Sequence, residues 1–150
     1  MTPSPAPHPD ATIRTSRVFD ARPGEVFAAF EQPERLAQWW GPDGFTNTFE
    51  VFEFQPGGRW TFVMHGPNGA DFHNENIFHE IQRPNRIVLE HILPPWFRLT
   101  ITLTPRGDQT HLAWDSEFES PEMAAKLRPR CEPANQQVLN RLAAVLACGG

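Results

Sequence analysis

The chain has 150 residues and a formal net charge of −5, from 13 Lys plus Arg against 18 Asp plus Glu. That length suits one domain with a sizeable core, and the acidic balance argues against a dedicated nucleic-acid binder with a broad basic face. No run of 18 apolar residues occurs, so no transmembrane span is expected.

The segment Met1 to Asp10 is rich in proline and lacks both the basic and the apolar region of a signal peptide. It reads as a disordered, extended tail over residues 1–11, ahead of a single domain at 12–148, and the expected location is cytoplasmic. Ile13 to Asp20 reads as a first strand. Arg22-Pro23-Gly24-Glu25 opens a helix with proline in its first turn, where the missing N–H is not needed. Val26, Phe27 and Phe30 give that helix an apolar stripe. Pro33 ends it and starts a second, from Glu34 to about Trp39.

Trp39-Trp40-Gly41-Pro42 then runs into a turn, and six strands follow, at about 45–54, 58–65, 72–82, 86–93, 96–104 and 109–117. Pro56-Gly57-Gly58, Gly66-Pro67-Asn68-Gly69, Pro84-Asn85, Pro94-Pro95 and Arg106-Gly107-Asp108 mark the reversals. The clearest strand is Phe97 to Leu103, with every odd position apolar and every even one polar, so one face is buried and the other wetted. Ser120-Pro121-Glu122 starts a helical run that Pro129 is expected to stop. A second start at Pro133 carries Val138, Leu139, Leu142, Val145 and Leu146 on one face. A seven-stranded sheet must cover its apolar face, and the terminal helix is the large cover available. The fold class is therefore α+β, a curved antiparallel sheet gripping a long C-terminal helix, with a cavity between them as a structural inference.

These elements resemble a known family. Ser16-Arg17-Val18-Phe19-Asp20-Ala21, Pro33 to Pro42, Pro56 to Trp60, Met64 to Gly69 and Leu139-Asn140-Arg141-Leu142 are similar to the homologues of the activator of Hsp90 ATPase, in the START-like (SRPBCC, Bet v1-like, polyketide cyclase-like) superfamily of helix-grip domains. The resemblance spans roughly residues 13 to 147. It implies an internal apolar pocket; with the apolar inward faces of the sheet, a small hydrophobic ligand is expected there, and no cofactor is expected. It also implies two alternatives, a cyclase- or hydrolase-like enzyme acting in the same pocket, and co-chaperone-like binding of a chaperone or other protein partner in a stress response.

For the pocket wall, strand alternation turns Trp60, Phe62, Met64, Leu99, Ile101 and Trp114 inward. Trp40 at the turn and Leu142 on the terminal helix join them. Arg17 on the first strand would anchor a ligand carboxylate if it points inward. His73 and His91 are further polar candidates for the pocket. His73, Glu75 and His79 share a face if their strand is unbroken, but His73 and His79 stand about 20 Å apart at ~3.3 Å per residue, too far for one ion, and no metal site is expected. His91 with Asp115, or His65 with Glu53, would form an acid–base pair only if the sheet brings them together. No Gly-x-Ser-x-Gly elbow or phosphate loop is present. Cys131 and Cys148 form no Cys-x-x-Cys pair and are expected as free thiols.

Overall fold

The computed structural model describes residues 9–149, with side chains to Cys148. Most of the expected proline-rich tail lies outside the described residues. Pro9–Ala11 form a short 3-10 turn in which Ala11 is buried. Then follow β1 (Thr12–Phe19), α1 (Pro23–Glu31), α2 (Pro33–Trp39), β2 (Thr46–Phe52), β3 (Arg59–His65), β4 (Asp71–Gln82), β5 (Arg86–His91), β6 (Phe97–Arg106), β7 (Gln109–Phe118) and α3 (Pro121–Gly149).

The strands make one antiparallel sheet in the order β1-β7-β6-β5-β4-β3-β2, so every strand after the helices pairs with its sequence neighbour and β1 closes on β7. Register places the apolar residues in rows across the inner face. Ile87, Ile101 and Trp114 lie opposite one another on β5, β6 and β7, and Leu89, Leu99 and Ser116 form the next row. Irregular pairing between Phe49 and Val51, and between Phe78 and Glu80, breaks the ladder on β2 and β4. Such bulges bend a strand and add twist, which lets a wide sheet wrap around a helix.

Two hydrophobic clusters fill the space under the sheet. The main one joins α1, α2, the middle of the sheet and the second half of α3 through residues such as Phe27, Trp39, Phe78, Leu139 and Leu142. A smaller one, Ile13, Phe118 and Ala124 with Phe97, Leu127 and Cys131 beside them, packs the first half of α3 on the sheet.

The helix corrects one expectation. Pro129 and Pro133 do not divide the C-terminal segment; α3 runs for 29 residues with both prolines inside it. Each proline deletes one backbone N–H and opposes the carbonyl four residues earlier. Those two carbonyls belong to Ala125 and Pro129, both exposed, so water can satisfy them. On the other side of the same turns Ala124, Leu127 and Cys131 pack with Ile13 and Phe118, and Val138 joins the main cluster; that burial holds the helix together through its locally unfavourable stretch.

Candidate functional site

The site is built from the turn after α2. Trp39 is fully buried, stands edge-on to Phe30, and donates its indole N–H to the Ala29 carbonyl at 3.1 Å. Trp40, one residue on, turns the other way, against Trp60 and Trp114 with ring centroids 4.8 and 5.4 Å away. Gly41 follows at φ 95°, a conformation that suits glycine. A Cβ there would lie 2.7 Å from the Met64 methyl, so the turn and β3 touch through that gap.

Arg141 of α3 fastens this turn. Its Nη1 donates towards the carbonyls of Trp40, Gly41 and Pro42 at 3.3, 2.7 and 2.9 Å, and its Nη2 to those of Gln38 and Phe45 at 2.8 and 2.9 Å. Burial pulls the guanidinium pKa below its ordinary value, and Asp43 opposes that pull. From the other side Asn47 Nδ2 donates to the carbonyls of Ala37 and Trp40.

Next to this turn lies a cavity of about 290 Å³, at the seam between the two hydrophobic clusters. Trp40, Gly41 and Pro42 form one wall. Leu99 and Phe97 of β6 with Trp114, Ser116 and Phe118 of β7 form the floor, and Leu127, Ala134 and Val138 of α3 form the roof. Pro95, Leu127 and Arg130 are shared with a surface groove beyond, which also takes in Trp96, Met123 and Lys126. The mouth therefore lies between the β5–β6 loop and the first half of α3. Trp96 in that loop is held from outside, its indole N–H donated to Glu90 Oε2 at 2.7 Å while His79 meets the other oxygen at 2.6 Å. The Trp96 hydrogen bond holds the Glu90 pKa low against the effect of burial, with His79 adding to it.

The expected pocket residues divide. Trp40, Leu99 and Trp114 line the cavity. Trp60, Phe62, Ile101 and Leu142 are buried in the solid core, and Met64 packs under Gly41. Trp60 Nε1 is buried with no hydrogen-bond partner, inside a ring cluster that includes Phe62 and Phe78. Arg17 does point towards the terminal helix, but its guanidinium is taken up by it. It donates to Asn140 Oδ1 and Gln136 Oε1, both at 2.7 Å, and so ties β1 to α3 without reaching the cavity.

Neither expected histidine is among the residues lining the cavity. His73 is about half exposed on the outer face, near Glu75 and Glu50. His91 is buried on the inner face, stacked on Phe97 at 4.7 Å with Nδ1 3.2 Å from Asn76 Oδ1. Asp115 lies on the opposite face beside Arg14, so it makes no pair with His91. His65 bonds Asp71 and Thr48, while Glu53 accepts the Arg59 backbone N–H. Among the described residues no three His, Cys, Asp or Glu side chains come together as a metal site requires, and no helix is long and apolar enough to cross a membrane.

Sequence reasoning missed the polar members of the lining: Ser116, Asn135, Arg130 and Cys131. Both cysteines are free thiols. Burial raises the Cys131 pKa, with Arg130 opposing, so the thiol is held in its protonated, weakly nucleophilic form. Burial likewise lowers the His91 pKa and raises that of Asp115. Among the described residues the lining contains neither a carboxylate nor an imidazole. The arrangement offers apolar surface, a hydroxyl, an amide and one cation. Such groups are of the kind that can hold and orient a small molecule; a general acid–base pair is not among them.

Comparison with known proteins agrees with this fold. The family model described as "Activator of Hsp90 ATPase homolog 1-like protein" matches residues 20–147. No curated protein sequence matches the chain. Among solved structures, a protein from Arthrobacter aurescens is 27% identical with a TM-score of 0.85, over 93% of this chain and 87% of that one. A protein from Chromobacterium violaceum is 28% identical with a TM-score of 0.79, over 91% and 96%. One from Nitrosomonas europaea shares the fold, with a TM-score of 0.87 over 98% and 100% at 18% identity.

Proposed function

The chain belongs to the Activator of Hsp90 ATPase homolog 1-like family, with a START-like helix-grip fold, and from that premise we propose that it binds a small, mainly apolar molecule in the cavity beside Trp40. The observation that carries this reading is the cavity itself, about 290 Å³ of space walled by Trp40, Leu99, Trp114, Phe97 and Val138. Ligand sites are typically concave and mostly apolar with a few polar groups, over roughly 300–1,000 Å³. This one stands just below the lower end of that range. It favours a single aromatic ring system or a short acyl chain over large polycyclic ligands.

Binding is tested by thermal shift and tryptophan fluorescence against a panel of fatty acids, flavonoids and aromatic polyketides. A ligand at about 100 times its Kd stabilises the fold by about 2.7 kcal/mol, several degrees in Tm for a domain of this size. Ala134→Phe places a ring in the cavity from the α3 side and should abolish the shift while the protein stays folded. A panel in which nothing moves Tm, or a ligand bound equally well by Ala134→Phe, refutes the site.

A further inference from the structure

Three polar side chains of the lining differ in how they are employed. Asn135 donates its amide to Thr15 Oγ1 at 3.2 Å, so one of its two amide donors is used in the protein. Ser116 is only 8% exposed, sits on the cavity floor between Trp114 and Phe118, and has no side-chain hydrogen-bond partner among the described residues. Its oxygen is not among the fully enclosed polar atoms and opens onto the cavity, where it can hydrogen-bond whatever occupies the space. Arg130 is at the mouth, on the rim shared with the outer groove. Its neighbour Arg128 is paired with Glu132 at 3.2 Å, whereas Arg130 has no ion-pair partner among the described residues. Lys126, the chain's single lysine, lines the same outer groove one helical turn earlier, with Glu119 the one carboxylate among that groove's residues.

We propose that the ligand is a small amphipathic anion, a carboxylate whose apolar body lies between Trp40, Trp114 and Leu99 and whose head group meets Arg130 at the mouth. This rests on the cavity being a ligand site at all. The reason is local. The protein carries a net charge of −5, which repels an anion at long range, yet its rim at this opening is cationic and the cation nearest the cavity is uncommitted. A guanidinium offers the planar donor fork that a carboxylate fits. The Ser116 hydroxyl gives a second polar contact for a ligand bearing an oxygen on its body. Arg17, the arginine that the sequence offers for this role, is spent on Gln136 and Asn140.

The test compares matched probes that differ only in charge: 2-naphthoate with 2-naphthamide, and octanoate with octanamide. Affinity is read by tryptophan quenching and calorimetry at low and at high salt. Each carboxylate should bind about five- to tenfold more tightly than its amide at low salt, and the ratio should shrink as salt rises because the mouth is open to water. Arg130→Met should bring the ratio to about one, and Arg128→Met, at a cation already paired, should leave it unchanged. Amides that bind as well as the carboxylates overturn the anion assignment and leave the apolar site standing. If none of the four probes binds, the cavity reading itself falls. A ratio that survives Arg130→Met, with circular dichroism showing the variant folded, places the anion contact elsewhere and refutes the assignment to Arg130.

Discussion

Arg141 joins α3 to the turn that walls the cavity, and removing it should cost more than its half-exposed position suggests. The guanidinium meets five backbone carbonyls between 2.7 and 3.3 Å, with Nη1 shared among three of them. A hydrogen bond to a charged group contributes about 1.5–3 kcal/mol. The five contacts are not additive, because one donor is shared and water reaches part of the turn when the side chain is gone. The equivalent of one to two such bonds, about 2–4 kcal/mol, is the expected loss in Arg141→Met. At ~2–4 °C per kcal/mol for a domain of this length, Tm should fall by roughly 4–16 °C. Arg141→Lys should recover less than half of that, since an ammonium is a point charge and cannot span the carbonyls as the planar fork does. Urea unfolding followed by circular dichroism gives both values. A loss below about 0.5 kcal/mol in Arg141→Met, the range of an ordinary surface change, would refute the argument, as would full rescue by lysine.

Other expectations follow from neighbouring features. Trp39 is sealed in the core and Trp40 borders the cavity, so iodide quenching should drop more in Trp40→Phe than in Trp39→Phe; equal quenching would contradict their placement. Burial depresses the His91 pKa below its ordinary value of about 6.5, so the unfolded chain takes up that proton first. Its contribution to stability is therefore constant above about pH 6.5 and declines as pH falls from there through the lower folded value, by at most about 1.4 kcal/mol per pH unit for one proton. His91→Gln should flatten that part of the acid slope in denaturation measured from pH 7.5 to 5, and an unchanged slope would mean that the ring is not desolvated. Gly57 and Gly58 should separate sharply. Gly57 has φ 83° with open space around it, so alanine costs about 1 kcal/mol in backbone strain, whereas a Cβ on Gly58 would collide with the Glu53 carbonyl oxygen and should cost several times more. Similar Tm values for the two alanine variants would count against this turn geometry.

The sheet was legible because its physics is local. Alternation on Phe97 to Leu103 reports which face is buried, and glycine or proline at each reversal sets the strand ends within a few residues. The path of α3 was not. Pro129 and Pro133 are correctly read as poor helix residues, and only the packing of Ala124, Leu127, Cys131 and Val138, far in sequence from their sheet partners, overrides them. The cavity depends on that path, so Arg130, Cys131 and Asn135 could not be assigned to it while the helix was expected to stop at Pro129. Inward and outward faces were predictable, but which inward residues border space and which border one another was not. Trp60 and Trp114 carry the same pattern, yet one is enclosed by Phe49, Phe52, Phe62 and Phe78 and the other faces the cavity. Arg17 shows the same limit for polar groups, because alternation gives its direction and nothing local tells that Gln136 and Asn140 await it.

The chain has five tryptophans and no tyrosine. Trp39, Trp40, Trp60 and Trp114 form one connected set, with ring centroids 4.8 to 6.4 Å apart along the chain of contacts, and Trp96 stands outside it on the β5–β6 loop. Indoles this close pass excitation among themselves and couple their transition dipoles. The near-ultraviolet circular dichroism is therefore a signature of how these rings are disposed, undiluted by phenol bands. Emission drains towards the indole in the most polar surroundings, and within the set that is Trp40, at the edge of the cavity. A molecule that displaces water from that edge changes the colour of the whole cluster, so the unlabelled protein serves as its own spectroscopic gauge of occupancy.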